Sequence, residues 1–209
     1  MSLAQQLTLE NGRAPMRLAA DMIYPPRCPS CHEYVVADGN FCAECFSKLR
    51  MIDAPICPCC GIPFVIAVER DTWCPTCLDV VPEFTVARAA MVYDAISPPL
   101  VTALRFHDQW PVMLRYVAMM LRAGRPILEG ADMQVPVPLH WRRLFNRKFN
   151  QSALLAYHLS EQTGIRCAPK MLRRAVYTKP QMRIDRTTRL KNVKRPFAVQ
   201  DVAQMMLYN

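Results

Sequence analysis

Residues 28–77 read CPSCHEYVVADGNFCAECFSKLRMIDAPICPCCGIPFVIAVERDTWCPTC, and this stretch decides the fold. Eight of its cysteines fall into four Cys-x-x-Cys knuckles: Cys28 and Cys31, Cys42 and Cys45, Cys57 and Cys60, Cys74 and Cys77. Ten residues separate the first two knuckles and thirteen the last two, which is the pattern of an internal duplication. Two-residue spacing lets a tight turn offer both sulfurs to one ion with backbone N–H groups aimed at them, and a tetrahedral zinc takes four thiolates at about 2.3 Å. The cofactor expectation is therefore two structural zinc ions. Sequential pairing of the knuckles is favoured, and spacing alone leaves an interleaved pairing open. Each site is closed by sulfur, with no open position of the kind a catalytic zinc keeps. Cys59, between two ligands, is expected to be a bystander, Cys167 a small hydrophobe, and His32 a candidate donor beside Cys31.

An apolar content of 52% over 209 residues is enough for a packed core. No run of eighteen apolar residues occurs and the first residues lack the order of a signal peptide, so the sequence reads as cytoplasmic, without a membrane segment. Knuckle spacing without an export signal favours reduced, metal-bound thiolates over a disulfide framework. Eight thiolates and two dications together bring −4 and reduce the formal +9 to about +5. The charge is uneven. From His140 to Arg195 fifteen Lys or Arg stand against Glu161 and Asp185, a segment of +13 that points to an anionic partner, phosphate groups on a small molecule or a nucleic-acid backbone.

Outward from the knuckles, residues 13–23 have helical spacing and stop at Pro25 and Pro26. After Pro82 the run FTVARAAMVYD is strand-like. Ser97-Pro98-Pro99 would open a helix over 100–107, and a second is expected from Trp110 to Arg122, ending at Gly124. Met133 to Pro138 reads as a strand leading into a basic loop, and Asn150 to Gln162 as an amphipathic helix stopped by Gly164. Beyond Cys167 come a short strand or turn, a basic loop and a helix-like piece over 184–193.

The knuckles, VPVPLHWRRLFNRKFNQ, SALLAYHLSEQTG and TKPQMRIDRTTRLKNVKRPF stand in an order that resembles the ComF family of bacterial competence and DNA-utilisation proteins. That resemblance covers about residues 20–200. It implies an α/β architecture: a lead-in over 1–25, a double zinc ribbon over 26–80, and a type I phosphoribosyltransferase-like parallel-sheet domain over 84–209. Physically, Val135 to Pro138 ends a strand, and the turn after it would offer an anion Leu139, His140, Trp141, Arg142 and Arg143, with Arg147 nearby, at the carboxyl edge where α/β folds bind ligands. The family continues Arg-Gly-Phe-Asn-Gln, whereas this chain has Lys148 in the glycine's place. If that glycine serves a left-handed turn, Lys148 carries strain of roughly 1 kcal/mol. Asn150 is a candidate helix cap. Thr178, Gln181, Arg186, Arg189 and Asn192 fall on the family's flap pattern, with Ile184 for its usual leucine. A flap suits a ribosyl centre from which water must be kept.

Type I phosphoribosyltransferases hold the ribose 5-phosphate of phosphoribosyl diphosphate (PRPP) in a loop of two acids followed by Thr-Thr-Gly, which these residues do not contain. The expectation is a domain missing its C-terminal part, impaired in transfer, with magnesium and PRPP relevant only to a complete domain. Two readings follow. One is a phosphoribosyltransferase homologue binding PRPP or another phosphate ligand. The other is a non-catalytic adaptor that binds single-stranded DNA or DNA-uptake proteins, with Trp141 and Phe145 either packed or serving as base platforms.

Overall fold

The computed structural model describes residues 24–94, 110–178 and 196–200, with Met22 and Pro98. The expected helices over 13–23 and 100–107 and the piece over 184–193 lie outside the described residues, apart from Met22. The chain divides into two units, Met1–Arg50 with Met91–Arg115, and Met51–Ala90 with Tyr116–Asn209, so that each unit holds one ribbon.

The first ribbon is organised by backbone hydrogen bonds around Cys28. Its N–H donates to the Glu33 carbonyl at 2.7 Å, its carbonyl accepts from His32 N–H at 2.9 Å, and Val35 N–H reaches Pro26 O at 3.1 Å. The second ribbon repeats this, with Cys57 N–H to Ile62 O at 2.9 Å, Gly61 N–H to Cys57 O at 2.9 Å and Phe64 N–H to Pro55 O at 2.9 Å. Each ribbon then ends in a one-turn helix that starts at its last knuckle, α1 (Ala43–Ser47) and α2 (Pro75–Asp79). Cys42 caps α1 through its sulfur, and Pro75 supplies the fixed φ that suits the first turn of α2. The duplication read from spacing is thus a duplication of hydrogen bonding. Both turns need a left-handed residue after the knuckle: His32 at φ 64° and Gly61 at φ 73°.

The segment read as a strand after Pro82 is not one. Its backbone is drawn onto the second ribbon instead: Ala87 N–H donates to Cys59 O at 2.7 Å, and the Arg88 guanidinium donates to Pro58 O at 3.0 Å and Ala87 O at 2.8 Å. A side chain on Gly61 would sit 2.6 Å from Ala87 O, so this closure depends on glycine.

Helix α3 (Trp110–Leu128) runs past the expected stop at Gly124. An internal glycine costs a helix only about 1 kcal/mol, while a face of Val112, Met113, Tyr116, Val117 and Met119 is buried. Pro126 falls in the last turn. Strand β1 (Met133–Gln134) is shorter than expected, because Pro136 and Pro138 have no N–H for a ladder. Helix α4 (Trp141–Arg147) replaces most of the expected loop. Helix α5 (Gln151–Thr163) follows, capped by Asn150 and closed by Gly164 at φ 73°. Strand β2 (Arg166–Cys167) then returns parallel to β1, pairing Met133 with Arg166 and Gln134 with Cys167. Strand β3 (Leu172–Arg174) pairs antiparallel with β4 (Phe197–Val199). The result is a strand–helix–strand unit of mixed α/β type, with one parallel and one antiparallel pair among the described residues.

Candidate metal centres and basic cluster

The structure assembles two quartets, Cys28, Cys31, Cys42 and Cys45, and Cys57, Cys60, Cys74 and Cys77, the sulfurs of each lying within 4.8 Å of one another. This is the sequential pairing. A zinc with bonds of about 2.3 Å requires sulfurs about 3.8 Å apart, and Cys31 and Cys42 Sγ are 3.5 Å apart, Cys60 and Cys74 Sγ 3.6 Å. Backbone N–H groups already face thiolate positions, from Cys45 to Cys42 Sγ and from Cys74 to Cys57 Sγ, each at 3.4 Å.

The acid–base chemistry fits a dication. Burial opposes ionisation of Cys57, but N–H groups of Cys74, Cys60 and Cys59 outweigh it and bring the thiol down to about 6. Cys28 is likewise brought to about 7 by N–H groups of Cys31, Cys42 and Ser30, against burial. Burial pushes Cys45 up to about 12 and Cys77 still higher, and neighbouring sulfurs add to the shift. One thiolate per site is stabilised by the backbone, and further negative charge needs a cation among the sulfurs. Both quartets are therefore suited to one zinc ion each, and the ion would supply fixed geometry. Cys59 is buried outside its quartet. Cys167 is half-buried in β2, with its thiol raised by burial. His32 belongs to neither quartet; its carbonyl accepts from Arg27.

The basic segment is built differently from the expected loop. His140 is buried and caps α4, its Nδ1 accepting Arg142 N–H at 3.3 Å, while its carbonyl accepts Arg143 N–H at 2.8 Å and Leu144 N–H at 3.0 Å. The backbone N–H groups of Arg142 and Arg143 are thus engaged by His140, and their guanidinium groups are the donors left for an anion. The His140 ring lies 5.6 Å from Trp141 and 5.3 Å from Tyr177. Guanidinium groups cover this aromatic cluster: Arg142 over Trp141 at 5.2 Å and Tyr177 at 5.8 Å, and Arg143 over Tyr177 at 5.7 Å.

Arg143 also donates to Thr178 O at 2.6 Å, so the structure brings together the candidate anion segment and the first residue of the candidate flap. Arg174, which the sequence did not single out, donates to Thr178 Oγ1 from β3. Only the structure reveals it, since one arginine in a run of fifteen Lys and Arg carries no distinguishing signal. Leu139 precedes the cap, and Arg147 is exposed on the last turn of α4. Gln181, Arg186, Arg189 and Asn192 lie outside the described residues. Lys148 adopts φ 64° at the C-cap of α4, the left-handed turn for which glycine is suited. Asn150 joins two elements, accepting Ser152 N–H at 3.1 Å and donating to Val137 O at 3.1 Å. Trp141 is 66% exposed and Phe145 84%, so both project from α4 into solvent and are not packed core residues. A hollow of about 650 Å³ lies beside the second ribbon, lined by Pro55, Ile56, Phe64, Val65 and Ile66 together with Arg70.

Residues 19–78 match the model of the double zinc ribbon domain. Over 168 residues the chain is 30% identical to the DNA utilization protein YhgH of Escherichia coli strain K12, covering 77% of this chain and 71% of the relative. It is 30% identical over 172 residues to the same-named protein of Salmonella typhi, with the same coverage. Competence protein F of Haemophilus influenzae is 24% identical over 181 residues, 83% of this chain and 76% of the relative. The chain belongs to this family of competence and DNA-utilisation proteins, the ComF family. No solved structure matches it. No helix among the described residues is long and apolar enough to cross a membrane.

Proposed function

We propose that this chain is a zinc-clamped phosphoribosyltransferase homologue of the cytoplasm that binds PRPP or a related phosphate ligand in the service of DNA uptake or utilisation. One observation carries the reading. It is supported by the element order, in which α4, the helix that carries Arg142 and Arg143, follows β1 and precedes α5 and the parallel partner β2, as in α/β units that bind ligands at the carboxyl edge of the sheet. Arginine suits the role, because its planar fork makes two parallel hydrogen bonds to phosphate oxygens. In this reading Leu139 to Arg143 and Arg147 receive the diphosphate, and Thr178, Gln181, Arg186, Arg189 and Asn192 belong to the covering flap. Magnesium would accompany PRPP. The domains at work are the ribbon region over 26–80 and the phosphoribosyltransferase-like region over 84–209. The test is titration of the zinc-loaded chain with PRPP and magnesium, followed by an assay for released diphosphate. Saturable, magnesium-dependent binding is the expected result, and no binding at millimolar PRPP would overturn it.

A second reading is favoured by the exposure of Trp141 and Phe145. Four residues apart on α4, among Arg142, Arg143, Arg147 and Lys148, they have the composition of a stacking platform for single-stranded DNA. The names of the relatives support a DNA-related role. A short single-stranded oligonucleotide titrated over a salt series separates the two. A steep salt slope, loss of affinity in Trp141→Ala and Phe145→Ala, and no PRPP binding would establish the adaptor reading and remove the first.

A further inference from the structure

We propose that Arg143 and Arg174 form one two-armed site for a phosphoryl-type oxyanion, and that Thr178 engages the donors which that anion takes. The inference rests on reading the segment after β1 as anion-binding, and it adds a residue from a different element and a competitor for the ligand. Arg143 comes from α4 and Arg174 from β3, yet both guanidinium groups converge on Thr178, one at its carbonyl and one at its hydroxyl. Two cations are brought together by a neutral residue. No carboxylate pairs with either arginine among the described residues. Arg174 is held below its ordinary range by burial and then by the charge of Arg143.

The donor count is also unbalanced. Arg174 Nε is buried with no hydrogen-bond partner among the described residues, although Nη2 of the same group is bonded. A carbonyl and a hydroxyl use one donor of each fork, whereas a phosphoryl group has oxygens enough for both forks and a charge that removes the repulsion. The arms are positioned by rigid elements. Arg174 pairs with Phe197 across the antiparallel strands, and its guanidinium lies 5.4 Å over that ring. Arg143 is held over Tyr177 on a helix capped by His140. Anion binding then replaces Thr178 as the partner of both guanidinium groups.

The experiment is calorimetric titration of the full zinc-loaded chain with inorganic diphosphate. Arg143→Gln and Arg174→Gln are each expected to weaken binding at least tenfold. Arg173→Gln removes the same charge from the neighbouring, oppositely facing position of β3 and is expected to change it less than threefold. Thr178→Val is expected to bind as tightly as the parent or several-fold tighter. Two zinc ions per chain and an unchanged circular dichroism spectrum certify each variant. If Arg174→Gln does not fold, Arg174→Lys decides: it keeps the charge, loses the fork, and should still weaken binding. The proposal is overturned if the parent does not bind diphosphate, if Arg174→Gln (or Arg174→Lys in its place) binds like the parent, if Arg173→Gln is equally harmful, or if Thr178→Val loses as much as Arg174→Gln. Repeating the series with PRPP keeps the two readings apart. PRPP binding untouched by Arg174→Gln sinks this site alone, whereas diphosphate binding through Arg174 without PRPP binding sinks the phosphoribosyltransferase reading alone.

Discussion

Lys148 and Gly61 occupy the same kind of backbone and predict opposite outcomes. Lys148 holds φ 64° in a C-cap, so Lys148→Gly should relieve steric strain and stabilise the chain by roughly 1 kcal/mol, measured as a raised midpoint in urea. Gly61 combines φ 73° with a carbonyl 2.6 Å from any added Cβ. Gly61→Ala should therefore cost about 1–3 kcal/mol, while Gly130→Ala, which meets nothing within 4 Å, serves as the control. The strain at Lys148 was legible in the sequence because a resemblance supplied the missing glycine. The constraint on Gly61 was not, since it is imposed by Ala87, twenty-six positions away.

Between the two ribbons the differences are of burial and proton affinity. In the first quartet Cys31 is exposed and Cys42 half-buried, whereas in the second Cys60 is half-buried and the other three are buried. A chelator added to the zinc-loaded chain should release the metal in two phases, and Cys28→Ser should remove the faster, as read by a metallochromic dye. Acid should discriminate in the same direction. Zinc-bound sulfur carries no proton, so a cysteine that is already a thiolate in the metal-free site costs nothing to deprotonate, while one below its pKa adds a proton to be displaced. Cys28 makes that change at about 7 and Cys57 at about 6. As pH falls, the first ribbon's affinity should therefore steepen by about tenfold per pH unit before the second's does. Competition with a zinc buffer from pH 8 to 5 measures both slopes. At this scale the sequence was informative where spacing sets the chemistry, in knuckles and caps such as Asn150. It misled where prolines or tertiary partners decide: β1 was cut short by Pro136 and Pro138, Ala87 and Arg88 were drawn onto the second ribbon, and Ala90 and Val92 bond to Ile52 and Arg50.

Over the whole chain, metal content and thiol reactivity should move together. Removing zinc under reducing conditions should raise the number of titratable thiols by eight and leave Cys59 and Cys167 as the only two independent of metal. An unchanged thiol count after chelation would mean that the quartets do not hold zinc. The same treatment should lower the melting temperature of both units, since each contains one quartet. The grouping of basic residues was legible as a charge of +13, but its use was not: charge counts do not reveal that His140 engages backbone donors, or that two arginines from separate elements share one threonine. Carrying one zinc turn twice has a further consequence. Positions 32 and 61 have nearly the same backbone, and Gly61 is enclosed by a neighbouring carbonyl while His32 is exposed. The molecule thus contains its own matched pair: exchanging the two residues would measure, within a single polypeptide, what enclosure adds to the intrinsic preference of a left-handed turn.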